Sequence, residues 1–265
     1  MRCVLCLLLL LFAAQALTAD DPPLTLRLEL VYRLKPVAGK QHFITRDDFE
    51  FEKRRAEIES PSFLAVATNI WPAGLVAIFA VEKTNRIELR RRPARGVENS
   101  SEPLFYALPP EDEPEAAKIA GRWECLGVRE TGTKEFFGWD LSIEGENIAG
   151  RFDQFTDFRF ARIVDGTFRS NQFELRIEYI MDAYVVNGTW HDGKLKGDWT
   201  RVDESENGTW EATRPRIVLP AATNLVALYE WRRADNARRY LLEGERLGSE
   251  WERGPRPLCL VWNPP

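Results

Sequence analysis

The sequence has few of the residues that serve metal, redox and proton-transfer chemistry. Its 265 residues include two histidines, four cysteines and two methionines. The histidines, His42 and His191, are far apart in the chain, and no group of His and Cys has the spacing of a metal site. A phosphate-binding glycine loop, a dinucleotide-binding motif and a nucleophile elbow are all missing. The sequence therefore predicts no cofactor and no catalytic residue, and it favours a binding or structural protein.

The charge balance is mildly acidic. The net charge is −5. Because nucleic-acid-binding proteins usually carry an excess of positive charge, we expect no nucleic-acid partner. Arginines nevertheless cluster at 86–95 and at 232–239. Two interpretations stay open for these clusters: they form ion pairs with the abundant Asp and Glu side chains, or they bind an anionic glycan or phosphate.

Long hydrophobic runs are missing beyond residue 19, but a short one precedes it. Arg2 is followed by an apolar stretch with leucines at 7–11, and Leu17-Thr18-Ala19 has the small residues of a cleavage site. A membrane anchor is the weaker alternative, because a bilayer span needs about 20 apolar residues and Gln15 interrupts this run. We predict a signal peptide cleaved near Ala19 and a secreted or periplasmic mature chain without a transmembrane segment.

Cleavage of that peptide would leave two cysteines, Cys125 and Cys259. An exported protein permits a disulfide between them. Such a bond would link the middle of the chain to its end. Two separate buried thiols are the alternative.

Two proline-containing breaks divide the mature chain, at 108–114 and at 214–220. Between them the sequence alternates evenly between apolar and polar residues. The two flanks differ from it in this pattern and are similar to each other. We therefore predict one domain at 118–214 that is inserted into another, which is formed by residues 20–117 and 215–265.

The inserted segment has the pattern of short strands joined by hairpins. The expected strands are 121–126, 136–143, 147–152, 158–164, 167–169 with 173–179, 184–190, 195–201 and 208–214. Four dipeptides typical of hairpin turns separate them: Glu144-Gly145, Asp165-Gly166, Asp192-Gly193 and Asn207-Gly208. Consecutive hairpins form an antiparallel meander, and closure into a small barrel removes its exposed edges.

Short motifs in this segment carry a resemblance to a known group. They are Gly121-Arg122-Trp123, Gly188-Thr189-Trp190, Gly197-Asp198-Trp199 and Gly208-Thr209-Trp210. The first is similar to the G-x-W motif of lipocalins, and the repeated ones are similar to avidin-type barrels. The segment thus resembles the calycin-like group, which implies an eight-stranded antiparallel barrel. No ligand residues of those families match positions in this sequence.

The flanks repeat a unit made of a strand with Tyr or Arg, a turn and an aromatic strand. The first unit contains Tyr32-Arg33, Gly39, His42-Phe43-Ile44-Thr45 and Asp47. It resembles a family of exported repeat domains of unknown function, and that resemblance implies a three-lobed β-trefoil with sugar binding by analogy with trefoil lectins. The predicted fold is therefore all-β: a small eight-stranded antiparallel meander barrel inserted into a three-lobed β-trefoil-like domain.

The favoured function is non-catalytic binding of a carbohydrate or another cell-envelope component by an exported module. The residues predicted to contact that ligand are Tyr32, His42, Tyr106, Trp231 and Tyr240. Core packing within the lobes is the alternative role for these side chains.

A second hypothesis places a small molecule inside the barrel, bound by Trp139, Arg162 and Tyr179. A third, a hydrolase, is disfavoured. Glu174 and Glu178 share one strand face, but four residues of strand separate them by about 13 Å, whereas a retaining glycosidase places its carboxyl groups about 5 Å apart.

Overall fold

The computed structural model describes residues 23–35, 41–45, 55–68, 71–83, 86–91, 102–154, 160–178 and 182–264. The predicted signal peptide lies outside these residues. In the part described, the chain is all-β, as predicted, apart from a short α-helix and a 3₁₀ turn at Arg55–Glu57. No helix there has the length and hydropathy needed to cross a membrane.

The described part of the chain forms twenty strands, of which the central eight close into a barrel. The strands before the barrel are β1 (Leu24–Thr25), β2 (Leu28–Leu34), β3 (Phe43–Thr45), β4 (Ile58–Val66), β5 (Val76–Lys83), β6 (Arg86–Arg90) and β7 (Phe105–Ala107). Helix α1 (Pro114–Ile119) follows, and then come the barrel strands β8 (Gly121–Arg129), β9 (Lys134–Glu144), β10 (Asn147–Gln154), β11 (Phe160–Arg169), β12 (Gln172–Glu178), β13 (Ala183–His191), β14 (Lys194–Arg201) and β15 (Asn207–Thr213). The chain ends with β16 (Ile217–Val218), β17 (Leu225–Arg233), β18 (Arg238–Leu242), β19 (Trp251–Arg253) and β20 (Cys259–Trp262).

The curled sheet joins the two flanks of the barrel. Its main strand order is β18-β17-β20-β4-β7-β5-β6, with β19 on β17, β2 on β4 and β3 on β2. Trp262 on β20 lies opposite Leu64 on β4, and Leu108 bridges to Leu260. Strands β1 and β16 form a separate parallel pair. Strands that precede and follow the barrel therefore share one sheet.

The central segment closes into a barrel, which confirms the prediction of eight antiparallel strands. Each strand from β8 to β15 pairs with the next, and β15 pairs with β8. Alternation decides which side chains point into the barrel. On β8, Trp123 and Cys125 are buried, whereas Arg122, Glu124 and Leu126 are half-exposed. One hydrophobic cluster extends from the barrel interior into the inner face of the curled sheet, where it includes Phe63 and Leu228.

Two of the four predicted turns are wrong. Asp165-Gly166 lies within β11, and the hairpin that follows turns at Ser170-Asn171, with φ of 51° and 63°. Asn207-Gly208 opens β15. These glycines serve close packing, because a Cβ on Gly166 would lie 2.4 Å from a methyl carbon of Leu175. The turns at Gly145 and at Asp192-Gly193 are confirmed by positive φ values.

Candidate functional site

Two of the five predicted lobe residues, Tyr106 and Tyr240, lie in the hydrophobic core. The ring of Tyr106 packs edge to face on Trp71, with 6.2 Å between centroids. The Tyr240 hydroxyl accepts a hydrogen bond from the backbone amide of Leu89 at 2.8 Å. Burial raises the pKa of both phenols, that of Tyr240 to about 12. Neither ring offers an exposed face on which a sugar could stack.

Tyr32 and His42 lie at the first hairpin of the curled sheet. Tyr32 on β2 is half-buried and packs against Leu34 in a small cluster of its own. The backbone carbonyl of His42 accepts a hydrogen bond from the Leu34 amide at 3.0 Å. Tyr32, Tyr106 and Tyr240 thus belong to three different hydrophobic clusters.

The alternative barrel site has only one member whose side chain is described. Trp139 is fully buried at the centre of the barrel, with its ring centroid 4.7 Å from that of Trp210 and 5.4 Å from that of Phe173. Arg162 is on β11, but its side chain lies outside the described part of the structure, as does Tyr179. Aromatic side chains fill the space around Trp139, as expected for a small eight-stranded barrel.

Cys125 and Cys259 are both buried thiols. Cys125 is on β8 of the barrel and Cys259 is on β20 of the curled sheet. Burial raises the pKa of the Cys259 thiol to about 12, so this thiol is protonated and unreactive at neutral pH. The structure thus has two separate buried thiols, which was the alternative to a disulfide.

Trp231 differs from the other lobe residues because it lies on the outer face of β17. Leu228 on the inner face is fully buried, whereas Tyr229, Trp231 and Arg233 alternate on the opposite face and are partly exposed. Strand β18 places Arg239 directly opposite Trp231 on one side, and β19 places Arg253 opposite it on the other. Two arginine residues therefore flank one tryptophan at backbone level across three strands.

We call this surface the arginine–aromatic face. Its members are Tyr229, Trp231, Arg233, Arg239, Trp251 and Arg253. The guanidinium carbons of Arg233 and Arg239 lie 5.0 and 5.7 Å from the ring centroid of Trp251. The guanidinium carbon of Arg253 lies 4.5 Å from the centroid of Tyr229. Cation–π contacts of this length hold a guanidinium group in a preferred orientation.

The charge of this face is unbalanced. On the other face of the same strands, Arg238 forms ion pairs with Glu88 and Glu230. Among the described residues, Arg239 and Arg253 have no carboxylate within ion-pair distance. No acidic residue occupies an outer-face position of β17, β18 or β19. The face therefore presents two arginines whose charge the described protein leaves uncompensated.

Arg233 is the neutralised member of the face. Asp235, in the turn between β17 and β18, accepts hydrogen bonds from the Arg233 guanidinium at 2.6 and 3.0 Å and from the Ala237 amide at 3.0 Å. These hydrogen bonds lower the pKa of Asp235 to about 2. The turn thus fixes Arg233 beside Trp251, and the excess charge belongs to Arg239 and Arg253.

No model of a protein family and no curated protein matches this sequence.

Trp231 and the arginine cluster that contains Arg239 were apparent from the sequence, whereas Trp251 and Arg253 were not predicted. The arginine cluster at 232–239 was visible, but it mixes residues of both sheet faces. Period-two alternation along 229–233 would have separated the outer face from the inner one. No sequence pattern predicted strand β19, because that strand is only three residues long.

Proposed function

We propose that this protein is an exported, non-catalytic module that binds an acidic glycan of the cell envelope through the arginine–aromatic face. The observation that carries the proposal is the placement of Arg239 and Arg253 on either side of Trp231, without a carboxylate partner among the described residues. Uncompensated guanidinium groups on an exposed sheet favour an anionic ligand. This role narrows the predicted carbohydrate ligand to one that carries carboxylate, sulfate or phosphate groups.

In this proposal the aromatic rings restrict the arginine side chains before a ligand binds. Arg loses rotamer freedom when it binds an anion, and stacking on Trp251 or Tyr229 removes much of that freedom in advance. The planar guanidinium then offers paired N–H donors that fit a carboxylate in a bidentate manner. The exposed part of Trp231, between the two arginines, supplies apolar contact for a sugar ring.

The two arginines form separate binding positions, which favours a chain over a single small anion. Arg239 and Arg253 belong to the two strands on either side of β17, and their guanidinium groups stack on different rings, Trp251 and Tyr229. A polymer with regularly repeated negative groups can contact both guanidiniums at once. Two such contacts on one chain raise the overall affinity beyond that of either alone.

The test is titration calorimetry with purified protein and a panel of acidic polysaccharides, each matched to a neutral polymer of similar length. Wild type is expected to bind at least one acidic member, and Arg239→Ala/Arg253→Ala to weaken that binding by at least about tenfold. Arg232→Ala is the matched control, because Arg232 is exposed on the opposite face of β17 and pairs with Glu230. Equal affinity of wild type and the double variant would refute the proposal.

We also infer that the barrel is calycin-like, that the curled sheet is trefoil-like, and that residues 1–19 are removed on export. The G-x-W strand opening at 121–123 supports the first, and the lobe motif around Tyr32 supports the second. N-terminal sequencing of the protein recovered from outside the cytoplasm is expected to begin at Asp20. An intact Met1 on the exported protein would contradict the cleavage.

A further inference from the structure

A groove of about 1220 Å³ crosses the outer wall of the barrel, away from the arginine–aromatic face. It extends over β12, β13, β14, β15 and β8. Most side chains that line it belong to outward-facing positions of these strands, and the buried rings of Phe173 and Trp210 also line it. The proposed function does not use this groove.

A row of polar side chains crosses the groove. Glu174 lies opposite Asn187, Asn187 opposite Asp198, and Asp198 opposite Thr209, on four successive strands. At about 4.8 Å per strand the row spans about 14 Å. All four side chains are exposed, and within the described part of the chain none of them forms a side-chain hydrogen bond or ion pair. The row therefore offers carboxylate, amide and hydroxyl groups to a ligand.

The backbone beneath this row is held by glycines and one tryptophan. Gly188 and Gly197 are direct cross-strand partners, and a Cβ on Gly197 would lie 1.9 Å from the Asn187 carbonyl oxygen. Trp210 packs beneath them, and its indole N–H donates to the backbone carbonyls of Asn187 and Asp198, each at 3.2 Å. These contacts fix the strands that carry the two central side chains of the row, so the groove is preorganised.

One edge of the groove is apolar. Leu126 on β8 lines the groove, and its register partner on β9 is Phe136, whose side chain is 59% exposed. Phe136 on β9 lies two strands beyond Thr209 on β15 and two residues along from it, so their backbones are about 12 Å apart.

We propose that this groove is a second glycan-binding site, selective for a neutral oligosaccharide chain. A sugar hydroxyl both donates and accepts hydrogen bonds, and the row supplies acceptors in Glu174 and Asp198 and donors in Asn187 and Thr209. The groove lining carries charges of both signs, Glu174, Asp198 and Glu211 beside Arg169 and Lys196. It therefore lacks the cationic excess of the arginine–aromatic face, and the two surfaces favour different ligands. A chain long enough to extend from the row across β8 also reaches Phe136, whose ring stacks on a sugar.

The experiment uses a panel of neutral oligosaccharides of glucose, mannose, xylose and N-acetylglucosamine, measured by titration calorimetry. Wild type is expected to bind at least one of them. Asn187→Ala/Asp198→Ala is expected to weaken this binding by at least about tenfold, and Phe136→Ala by about threefold or more. Because all three side chains are exposed, the variants are expected to keep the wild-type unfolding midpoint.

Matched controls separate this site from the first. Thr200→Ala changes an exposed residue on the same face of β14, two positions from Asp198 and outside the groove, and it is expected to bind like wild type. Arg239→Ala/Arg253→Ala is expected to keep neutral-chain binding while losing acidic-chain binding. The inference is overturned if folded wild type binds no neutral member, if the groove variants bind as wild type does, or if the arginine variant loses neutral binding equally.

Discussion

The indole rings of Trp139 and Trp210 meet edge to face at the centre of the barrel, with 4.7 Å between their centroids. Trp139 is fully buried. Trp139→Ala is therefore expected to leave a large cavity and to lower the free energy of unfolding by about 3–5 kcal/mol. Urea denaturation followed by circular dichroism measures this change.

The control for that measurement is on the same strand. Phe136→Ala removes a ring that is mostly exposed, and its effect is expected within about 0.5 kcal/mol. Similar losses for the two variants would show that the barrel interior is not packed as the structure has it.

Gly197 is expected to tolerate substitution worse than Gly193. A Cβ on Gly197 would lie 1.9 Å from the Asn187 carbonyl oxygen and 2.5 Å from Gly188 Cα, and both neighbours are backbone atoms. We expect Gly197→Ala to lower stability by at least about 3 kcal/mol. Gly193→Ala meets no atom within 4 Å but takes a φ of +79°, which costs about 1–2 kcal/mol. Thermal unfolding of the two variants gives the comparison.

Tyr240 is expected to stabilise the core without contacting a glycan. Tyr240→Phe removes the acceptor of the Leu89 amide and is expected to lower stability by about 1–3 kcal/mol, with unchanged affinity for an acidic polysaccharide. Loss of binding in a folded Tyr240→Phe protein would instead support the ligand role predicted from the sequence.

The same phenol predicts a pH dependence. Burial raises the pKa of Tyr240 to about 12, above the value of about 10 in an unfolded chain. Its contribution to stability is therefore complete below about pH 10 and is lost as the pH rises through 12. Denaturation curves at alkaline pH are expected to decline less steeply with pH in Tyr240→Phe than in wild type.

Binding at the arginine–aromatic face is expected to depend on the salt concentration and on the planar shape of the arginine guanidinium group. Affinity for an acidic polysaccharide is expected to fall as salt rises from about 0.1 M to about 1 M, where the screening length drops from about 10 Å to about 3 Å. Arg239→Lys keeps the charge but loses the planar donor pair and much of the stacking on Trp251. We expect it to bind more weakly than wild type, and unchanged affinity would show that charge alone matters.

Both cysteines are expected to be inaccessible in the folded state. A thiol-reactive dye should label neither Cys125 nor Cys259 at neutral pH, because both are buried and Cys259 has a pKa raised to about 12. Denaturant without reductant is expected to expose both thiols. Absence of labelling in denaturant would establish the disulfide that an exported chain permits.

The strand pattern of the barrel was predictable because alternation and hairpin dipeptides are local signals. The turn predictions failed at Asp165-Gly166 and Asn207-Gly208 for one physical reason. A glycine is needed both where φ is positive and where another group approaches the backbone closely, and sequence alone does not distinguish these uses. Gly208 is of the second kind, since a Cβ there would lie 2.3 Å from the Val128 carbonyl oxygen.

The candidate sites were less predictable than the fold. Tyr106, Trp231 and Tyr240 are all aromatic residues of strands in the curled sheet, yet only Trp231 lies on an outer face. Which face of a strand is buried depends on what covers it, and that is decided by the packing of the curled sheet against the barrel.

The sequence by itself determined that this chain is all-β, that its centre forms an antiparallel meander, and that metal and nucleotide motifs are missing, because these features depend on residue type and short-range periodicity. Only the tertiary structure decided that Arg239 and Arg253 flank Trp231 and that Glu174, Asn187, Asp198 and Thr209 form one row. Cross-strand neighbours are set by register, and a shift of one residue would turn every one of these side chains to the other face.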